Sequence, residues 1–392
     1  MSSGYIEFPS LKLDYGPIFS TFGYNEVEGV RVRTGGRTYF GRNDIWRLEG
    51  FLAYGFRDDK FKYGISGKWM IDKKNRIILS GGNRRDVEQI GASLTSTNDV
   101  LGRSYASSGL FTTGANGKLT SINLTTLAAE IEPVKNVTFQ LGFSYRTLES
   151  ASDTFKLDYF TDATLTKTKS KVTQSELNVQ IEMTPKKKTI GYGVERRDID
   201  SPFSRIFINY GQGFKGFINS DFDYQKIQLY YKQPVVIGAI GRSNFTMELG
   251  KTFGQVPLGL MSVVPGNQTL FIIDNTFSNL NFYEFVADQY VTLQLEHNFQ
   301  GKIFARIPYL RKLNLREIIG VRGVYGTVSD ENVAINASGL IYQAPEKPYW
   351  EYSAGIGNIF KVFRLDFAWR GNYRDIPETS NFTIKGSFGF YF

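Results

Sequence analysis

The last twelve residues, Asn381-Phe382-Thr383-Ile384-Lys385-Gly386-Ser387-Phe388-Gly389-Phe390-Tyr391-Phe392, carry the reading that decides the fold. Phe382, Ile384, Gly386, Phe388, Phe390 and Phe392 share one parity, and Thr383, Lys385, Ser387, Gly389 and Tyr391 share the other. A period of two places successive side chains on opposite faces of an extended strand. The pattern recurs far upstream. Phe61, Tyr63, Ile65, Trp69 and Ile71 alternate with Lys62, Gly64, Ser66 and Lys68. Val137, Phe139, Leu141, Phe143 and Tyr145 alternate with polar or small residues, and Phe363, Leu365, Phe367 and Trp369 alternate with Arg364, Asp366, Ala368 and Arg370.

Strands of a soluble sandwich are short, whereas these runs last roughly 10–13 residues, the length of a tilted strand that crosses a bilayer. Aromatic residues gather near the run ends, as interfacial girdles require. No stretch approaches the ~18 uncharged apolar residues of a membrane helix. The expected fold is therefore all-β, a transmembrane antiparallel up-and-down β-barrel of about 16 strands with long extracellular loops. Residues 1–392 read as one barrel domain.

Composition narrows the chemistry. The chain has no Cys and a single histidine, His297, which excludes a disulfide scaffold, a thiolate metal site and a cysteine nucleophile. No metal or cofactor is expected. The formal charge of +8 is spread along the chain; Lys186-Lys187-Lys188 is the one run, and it reads as a solvated turn. Nucleic acid is not an expected partner.

Candidate strands fall at 8–17, 27–38, 43–55, 60–71, 74–84, 118–131, 134–146, 172–184, 203–211, 223–233, 240–252, 285–298, 312–326, 348–358, 361–371 and 381–392. With a periplasmic C-terminus, connections 85–117, 147–171, 253–284, 327–347 and 372–380 lie outside, and the short turns at Asp72-Lys73, Glu132-Pro133 and Asn358-Ile359 lie inside. Segments 185–202 and 299–311 are long for periplasmic turns, and 187–197 is a candidate extra strand. The start, Met1-Ser2-Ser3-Gly4, lacks the features of a signal peptide, so the chain is expected to be part of a longer or processed product. Pro9, Gly16 and Pro17 weaken the first strand, which reads either as a functional seam against 381–392 or as the frayed edge of a truncation.

The segments Tyr24-Asn25-Glu26-Val27-Glu28-Gly29, Gly35-Gly36-Arg37-Thr38, Leu48-Glu49-Gly50-Phe51-Leu52-Ala53-Tyr54-Gly55, Pro265-Gly266-Asn267-Gln268, Phe282-Tyr283-Glu284-Phe285-Val286-Ala287-Asp288 and Arg306-Ile307-Pro308-Tyr309-Leu310 carry a more specific likeness. They resemble the C-terminal barrel of a Bacteroidota outer-membrane family of unassigned function. That resemblance implies a signal peptide and a carboxypeptidase-regulatory-like periplasmic domain ahead of the barrel. More distantly, a barrel of about 16 strands with a long loop before the twelfth is similar to the barrel-assembly and two-partner-secretion superfamily. The loop of that superfamily carries an Arg-Gly-Phe motif, whereas 253–284 here contains no Arg or Lys. The terminal Phe388, Phe390 and Phe392 resemble the strand that barrel-assembly machinery reads during biogenesis.

Three groups of residues are candidates for function. Arg31, Arg33, Arg47, Lys62, Lys68, Arg316, Arg322, Arg364 and Arg370 fall on the lumen parity with Glu49 and Asp366. They form either an anion-favouring lining or a ladder of Arg–carboxylate pairs such as Arg47/Glu49 and Arg364/Asp366. Loop 253–284, including Pro265, Gly266, Asn267 and Phe271, is unusually apolar; it reads as a lid or partner site, or as packing against neighbouring loops. Glu284 and Asp288 flank the start of the next strand, placed to meet lumen arginines. His297 falls on the outward parity beside Val291, Leu293 and Leu295, with no acid on that parity within two residues, and reads as non-catalytic.

The function expected is a non-enzymatic anchor or scaffold in the bacterial cell outer membrane, its lumen plugged by loops and charge pairs. An anion-preferring pore and an assembly or secretion barrel are the alternatives. Expected partners are outer-membrane lipid and lipopolysaccharide, the barrel-assembly machinery during biogenesis, and a periplasmic or surface protein.

Overall fold

A computed structural model describes residues 4–41, 43–90, 117–162, 164–199, 203–341, 343–377 and 379–389. One antiparallel sheet of 18 strands runs through them. Its members are β1 Ile6–Phe8, β2 Leu13–Tyr15, β3 Phe22–Asn25, β4 Gly29–Thr38, β5 Trp46–Gly55, β6 Lys60–Asp72, β7 Ile77–Glu88, β8 Thr120–Val134 and β9 Val137–Ser150. The second half adds β10 Val172–Met183, β11 Arg205–Gly213, β12 Tyr224–Ile237, β13 Gly241–Phe253, β14 Gln289–Asn298, β15 Arg316–Thr327, β16 Tyr349–Ile359, β17 Phe363–Arg370 and β18 Phe382–Phe388.

From β4 to β18 each strand pairs with the next in sequence, the meander of an up-and-down barrel. β2 and β3 lie end to end along the same edge of β4, Leu13 opposite Thr38 and Phe22 opposite Val32. Together they occupy one further stave, and β1 pairs with the far edge of β2, Ile6 opposite Tyr15, as a short seventeenth position. The expected strand 8–17 is thus corrected. Pro17 has no N–H to give a ladder, the 3-10 turn Ile18–Ser20 interrupts the stave, and the chain rejoins the sheet only at Phe22. The candidate strand 187–197 is likewise corrected: Thr189–Ile190 pairs with Arg197–Asp198 in a two-residue ladder outside the wall.

Burial follows the alternation with its usual soluble sign reversed. On β6 Lys62 is 3% exposed, whereas Phe61 and Ile65 are 62% and 57% exposed. On β16 Tyr349 and Glu351 are buried between exposed Trp350 and Tyr352. Apolar side chains out and charged ones in is the arrangement of a wall that meets lipid on one face and polar matter on the other. Among the described residues no helix is long and apolar enough to cross a membrane.

The two ends of the wall differ. One carries the connections 89–119, 151–171, 254–288, 328–348 and 371–381; the other carries the tight turns 73–76, 135–136, 238–240 and 360–362, together with 184–204 and 299–315. The largest apolar core lies at the long-loop end. There Val87, Leu119, Ile122, Leu148 and Val172 of the wall region pack against Val256, Leu258, Leu260, Met261, Phe282 and Tyr283 of the connection 254–288.

Candidate functional site: a segment folded into the barrel interior

The connection 254–288 leaves β13 and returns to β14, and in between it lies against the polar face of distant staves. Its apolar residues, with few charges to keep it in water, are what take it inside. Leu258–Leu260 forms a 3-10 turn whose residues are all buried, and Ser262–Val263 pairs with Val286–Ala287 to close the segment's base. Phe277, Leu280 and Phe285 pack with Val264, Val324 and Tyr349 in a second core. Tyr283 reaches the β7–β8 side, where its hydroxyl accepts the Ile90 N–H at 3.3 Å and lies 3.4 Å from the Thr120 hydroxyl. Burial pushes that phenol up to about 12.

Polar anchors fix the other side of the segment to β15–β18. Glu351 of β16 accepts the backbone N–H groups of Ser278 at 2.6 Å and Asn279 at 3.0 Å, and the Tyr349 hydroxyl at 3.2 Å. A buried carboxylate needs such donors to offset its lost hydration. Arg322 of β15 donates to the Thr276 carbonyl at 2.9 Å. Lys385 of β18, 1% exposed, donates to the carbonyls of Asn267 at 2.7 Å and Thr269 at 2.5 Å. Arg370 of β17 is ion-paired with Glu284, and its guanidinium lies over the Tyr349 ring at 5.1 Å. Burial pushes the Glu284 carboxyl up, while the Asn281 N–H and Arg370 pull it back.

The tip of the segment touches the sheet backbone itself. Gly386 donates its N–H to the Leu270 carbonyl at 2.7 Å and accepts the Ile272 N–H at 2.8 Å, which makes Phe271 a parallel partner of Gly386. Ladder geometry with β17 points the Gly386 backbone away from β17, toward the free edge of β18. Among the described residues β18 has no other strand on that edge.

Several expected residues meet here and others do not. Asn267 shapes the tip: its Oδ1 accepts the Thr269 N–H at 3.0 Å, and its Nδ2 donates to the Phe271 carbonyl. The Pro265 carbonyl accepts the Phe277 N–H, and a Cβ at Gly266 would press on the carbonyls of Leu280 and Asn281, so glycine is required there. Among the described residues Asp288 binds no arginine; its Oδ2 accepts from the Ser329 N–H at 2.7 Å and the Asn332 Nδ2 at 2.9 Å, which corrects that expectation. Phe388 is exposed and packs on Phe363, whereas Phe390 and Phe392 lie outside the described residues.

The wall charges resolve into separate clusters. Arg31 pairs with Glu28 at 3.0 Å and Asp86 at 2.7 Å, and Lys62 with Glu28 at 2.8 Å and Asp58 at 2.6 Å. Arg364 holds Asp366 at 2.7 Å, as expected, and also Glu296 at 2.6 Å. Arg47 pairs with Glu195 instead of Glu49, because the connection 184–204 folds back under the wall. Glu195 also has Arg37 at 3.6 Å and Lys68 at 3.7 Å. Arg33 donates to the Ser20 hydroxyl at 2.5 Å and stacks on Phe51. Arg316 stands apart, at the short-turn rim.

Sequence reasoning passed over Glu28, Asp86, Glu296, Glu351 and Lys385. Glu351 and Lys385 had a usable signal, since both sit on the inward parity between aromatic or apolar neighbours. Glu195 had none, because a loop has no parity. His297 faces outward, its Nδ1 2.8 Å from the Ser243 hydroxyl and its ring edge-on to Phe299. Its Nε2 has no hydrogen-bond partner among the described residues. Among the described residues no group of His, Cys, Asp or Glu could hold a metal ion.

These features define a transmembrane β-barrel whose interior is occupied by a segment of its own chain. The family model described as "Family of unknown function (DUF5686) C-terminal domain" matches residues 5–356, and the chain belongs to that family. No curated protein matches it. Among solved structures it is similar to BamA from Haemophilus ducreyi lacking POTRA domains 1–3, with 11% identity, a TM-score of 0.55, and 96% of this chain and 70% of that one covered. It is also similar to CdiB from Escherichia coli, with 10% identity, a TM-score of 0.52, and 99% and 63% covered. The chain therefore spans less than two thirds of that CdiB chain. The likeness is one of fold.

Proposed function

We propose that this chain is a non-enzymatic anchor or scaffold of the bacterial outer membrane, with its long loops outside and its short turns in the periplasm. The observation that carries the reading is the set of anchors on segment 254–288: Glu351 on two backbone amides, Lys385 on two carbonyls, and Arg370 on Glu284. A passive pore needs a continuous wet path, and here apolar and hydrogen-bonded main chain stands in it. Arg31, Arg47 and Arg364 of the wall are matched by carboxylates, which lowers the positive field that an anion-preferring pore would use. The test is single-channel recording in planar bilayers of protein shown to be folded by heat-modifiability. Electrical silence is expected; steady steps that scale with salt would overturn the reading.

One observation favours the assembly or secretion reading as a second. Among the described residues the free edge of β18 holds only the tip of the inserted segment, and the other end of the wall is made of short pieces, β1 paired on β2 and β3 following after a 3-10 turn. An edge with open N–H and C=O groups can accept an incoming strand. Phe271→Cys with Gly386→Cys would lock the tip onto that edge in a chain with no other cysteine. Under the second reading the oxidised lock stops growth or surface delivery, and reduction restores it. A lock without effect leaves the anchor reading alone.

A further inference from the structure

The connection 299–315 at the short-turn rim is unlike any other part of the wall. Residues 299–316 contain Lys302, Arg306, Arg311, Lys312 and Arg316 and no Asp or Glu. Arg306, Arg311, Lys312 and Arg316 form no ion pair among the described residues, in a protein whose other interior and rim arginines are mostly paired. Between the cations stand exposed apolar side chains: Tyr309 is 89% exposed, and Ile303, Ile307 and Leu313 are exposed as well. The adjoining turn presents Phe360, 91% exposed.

The segment lies on the lipid side of the rim. The Phe304 N–H donates to the carboxylate of Glu317, which has the outward parity of exposed Ile319 and Val321. Lys302 donates to the Ala239 carbonyl of the neighbouring turn, where Val236, Ile237 and Ile240 are exposed. Asn358 Nδ2 donates to the Asn314 carbonyl at 2.7 Å and ties the segment to the turn 360–362. Enclosed between them is a cleft of about 530 Å³. Phe304, Ala305 and Leu310 form its apolar side, and Arg311, Arg316 and Lys361 its basic side.

We propose that this cleft binds the headgroup of an anionic glycerophospholipid in the leaflet beside the short-turn end. Arg311 and Lys361 would hold the phosphate and its anionic substituent, while Phe304 and Leu310 receive the first carbons of the acyl chains. Tyr309, Leu313 and Phe360 seat the segment at headgroup depth, where amphipathic rings and long basic side chains are favoured. Charge complementarity selects this occupant over an acidic protein, because apolar side chains at membrane level surround the cations. The inference needs the barrel to be in a membrane but does not depend on whether its interior conducts.

The test is native mass spectrometry of the folded, detergent-purified chain after incubation with equal amounts of phosphatidylglycerol and phosphatidylcholine. One retained phosphatidylglycerol is expected, in preference to phosphatidylcholine. In R311Q/K361Q retention should fall roughly tenfold, as loss of charge-assisted hydrogen bonds implies. K186Q/K187Q, which removes equal charge elsewhere on the same end, should retain lipid as the parent does. Equal retention of the two lipids, an R311Q/K361Q that binds as the parent, or an equal loss in both double variants would overturn the proposal. So would displacement of the lipid by excess inorganic phosphate, which would mark a site for free anion. Heat-modifiability of each variant separates lost binding from lost folding.

Discussion

Arg370 shows what one side chain does in this interior. It is fully buried, it meets Glu284 at the end of the inserted segment, and it covers Tyr349. Arg370→Met would leave the Glu284 carboxylate buried without its cation, and loss of one partner of a buried pair costs about 3–5 kcal/mol. The expected outcome is a lower urea midpoint for protein folded in lipid vesicles. Adding Glu284→Gln should recover much of the loss, because the second change removes the orphaned charge. Equal destabilisation in single and double variants would show that the pair is not what holds the segment's end. Arg370 was legible in the sequence as an inward charge, but its partner was legible only as a guess: of the two carboxylates at the loop's end, Glu284 reaches an arginine and Asp288 turns to Ser329 and Asn332.

At the scale of elements, strands with clean alternation were read to within a few residues, β6 and β10 among them. Two-sided environments write a period of two into a sequence, and neither a neighbour's identity nor a long-range partner is needed to see it. The broken stave β2–β3 was misplaced because its few residues outside the 3-10 turn are too short to show a period. The hairpin of 184–204 was missed for a related reason. Its anchor, Glu195, works through distant Arg47, Arg37 and Lys68. Burial alone would raise the Glu195 carboxyl, but Lys68, Arg47 and Arg37 together hold it below the usual carboxylate range. A depressed folded-state value stabilises docking fully above the ordinary glutamate value near ~4.3. That stabilisation is lost as pH falls through the lower folded value. Amide exchange of 189–198 should therefore be flat from neutral pH to about that value and rise below it, after correction for intrinsic rates. Glu195→Gln should exchange fast throughout, and a profile identical to the parent's would refute the assignment.

For the molecule as a whole, wall and contents obey different rules. The wall is specified by patterning, and its charge count suggested an anion-attracting bore. The contents change that sum, because carboxylates from connections and neighbouring staves (Glu28, Asp86, Glu195, Glu296) meet the cations that the strands present. Inward parity is visible one strand at a time, whereas neutralisation appears only when connections are folded onto the wall. The attachment of the inserted segment is also unequal on its two sides. Toward β15–β18 it is fastened by directional bonds to Glu351, Arg322, Lys385 and Arg370; toward β7–β10 it rests chiefly on contact between apolar side chains such as Leu258, Leu148 and Val172. Apolar contact has no preferred direction and can slide, but a charge-assisted bond is lost at once when its geometry fails. The segment is thus set in register by its bonds to the C-terminal staves and held in depth by its apolar seat on the opposite ones.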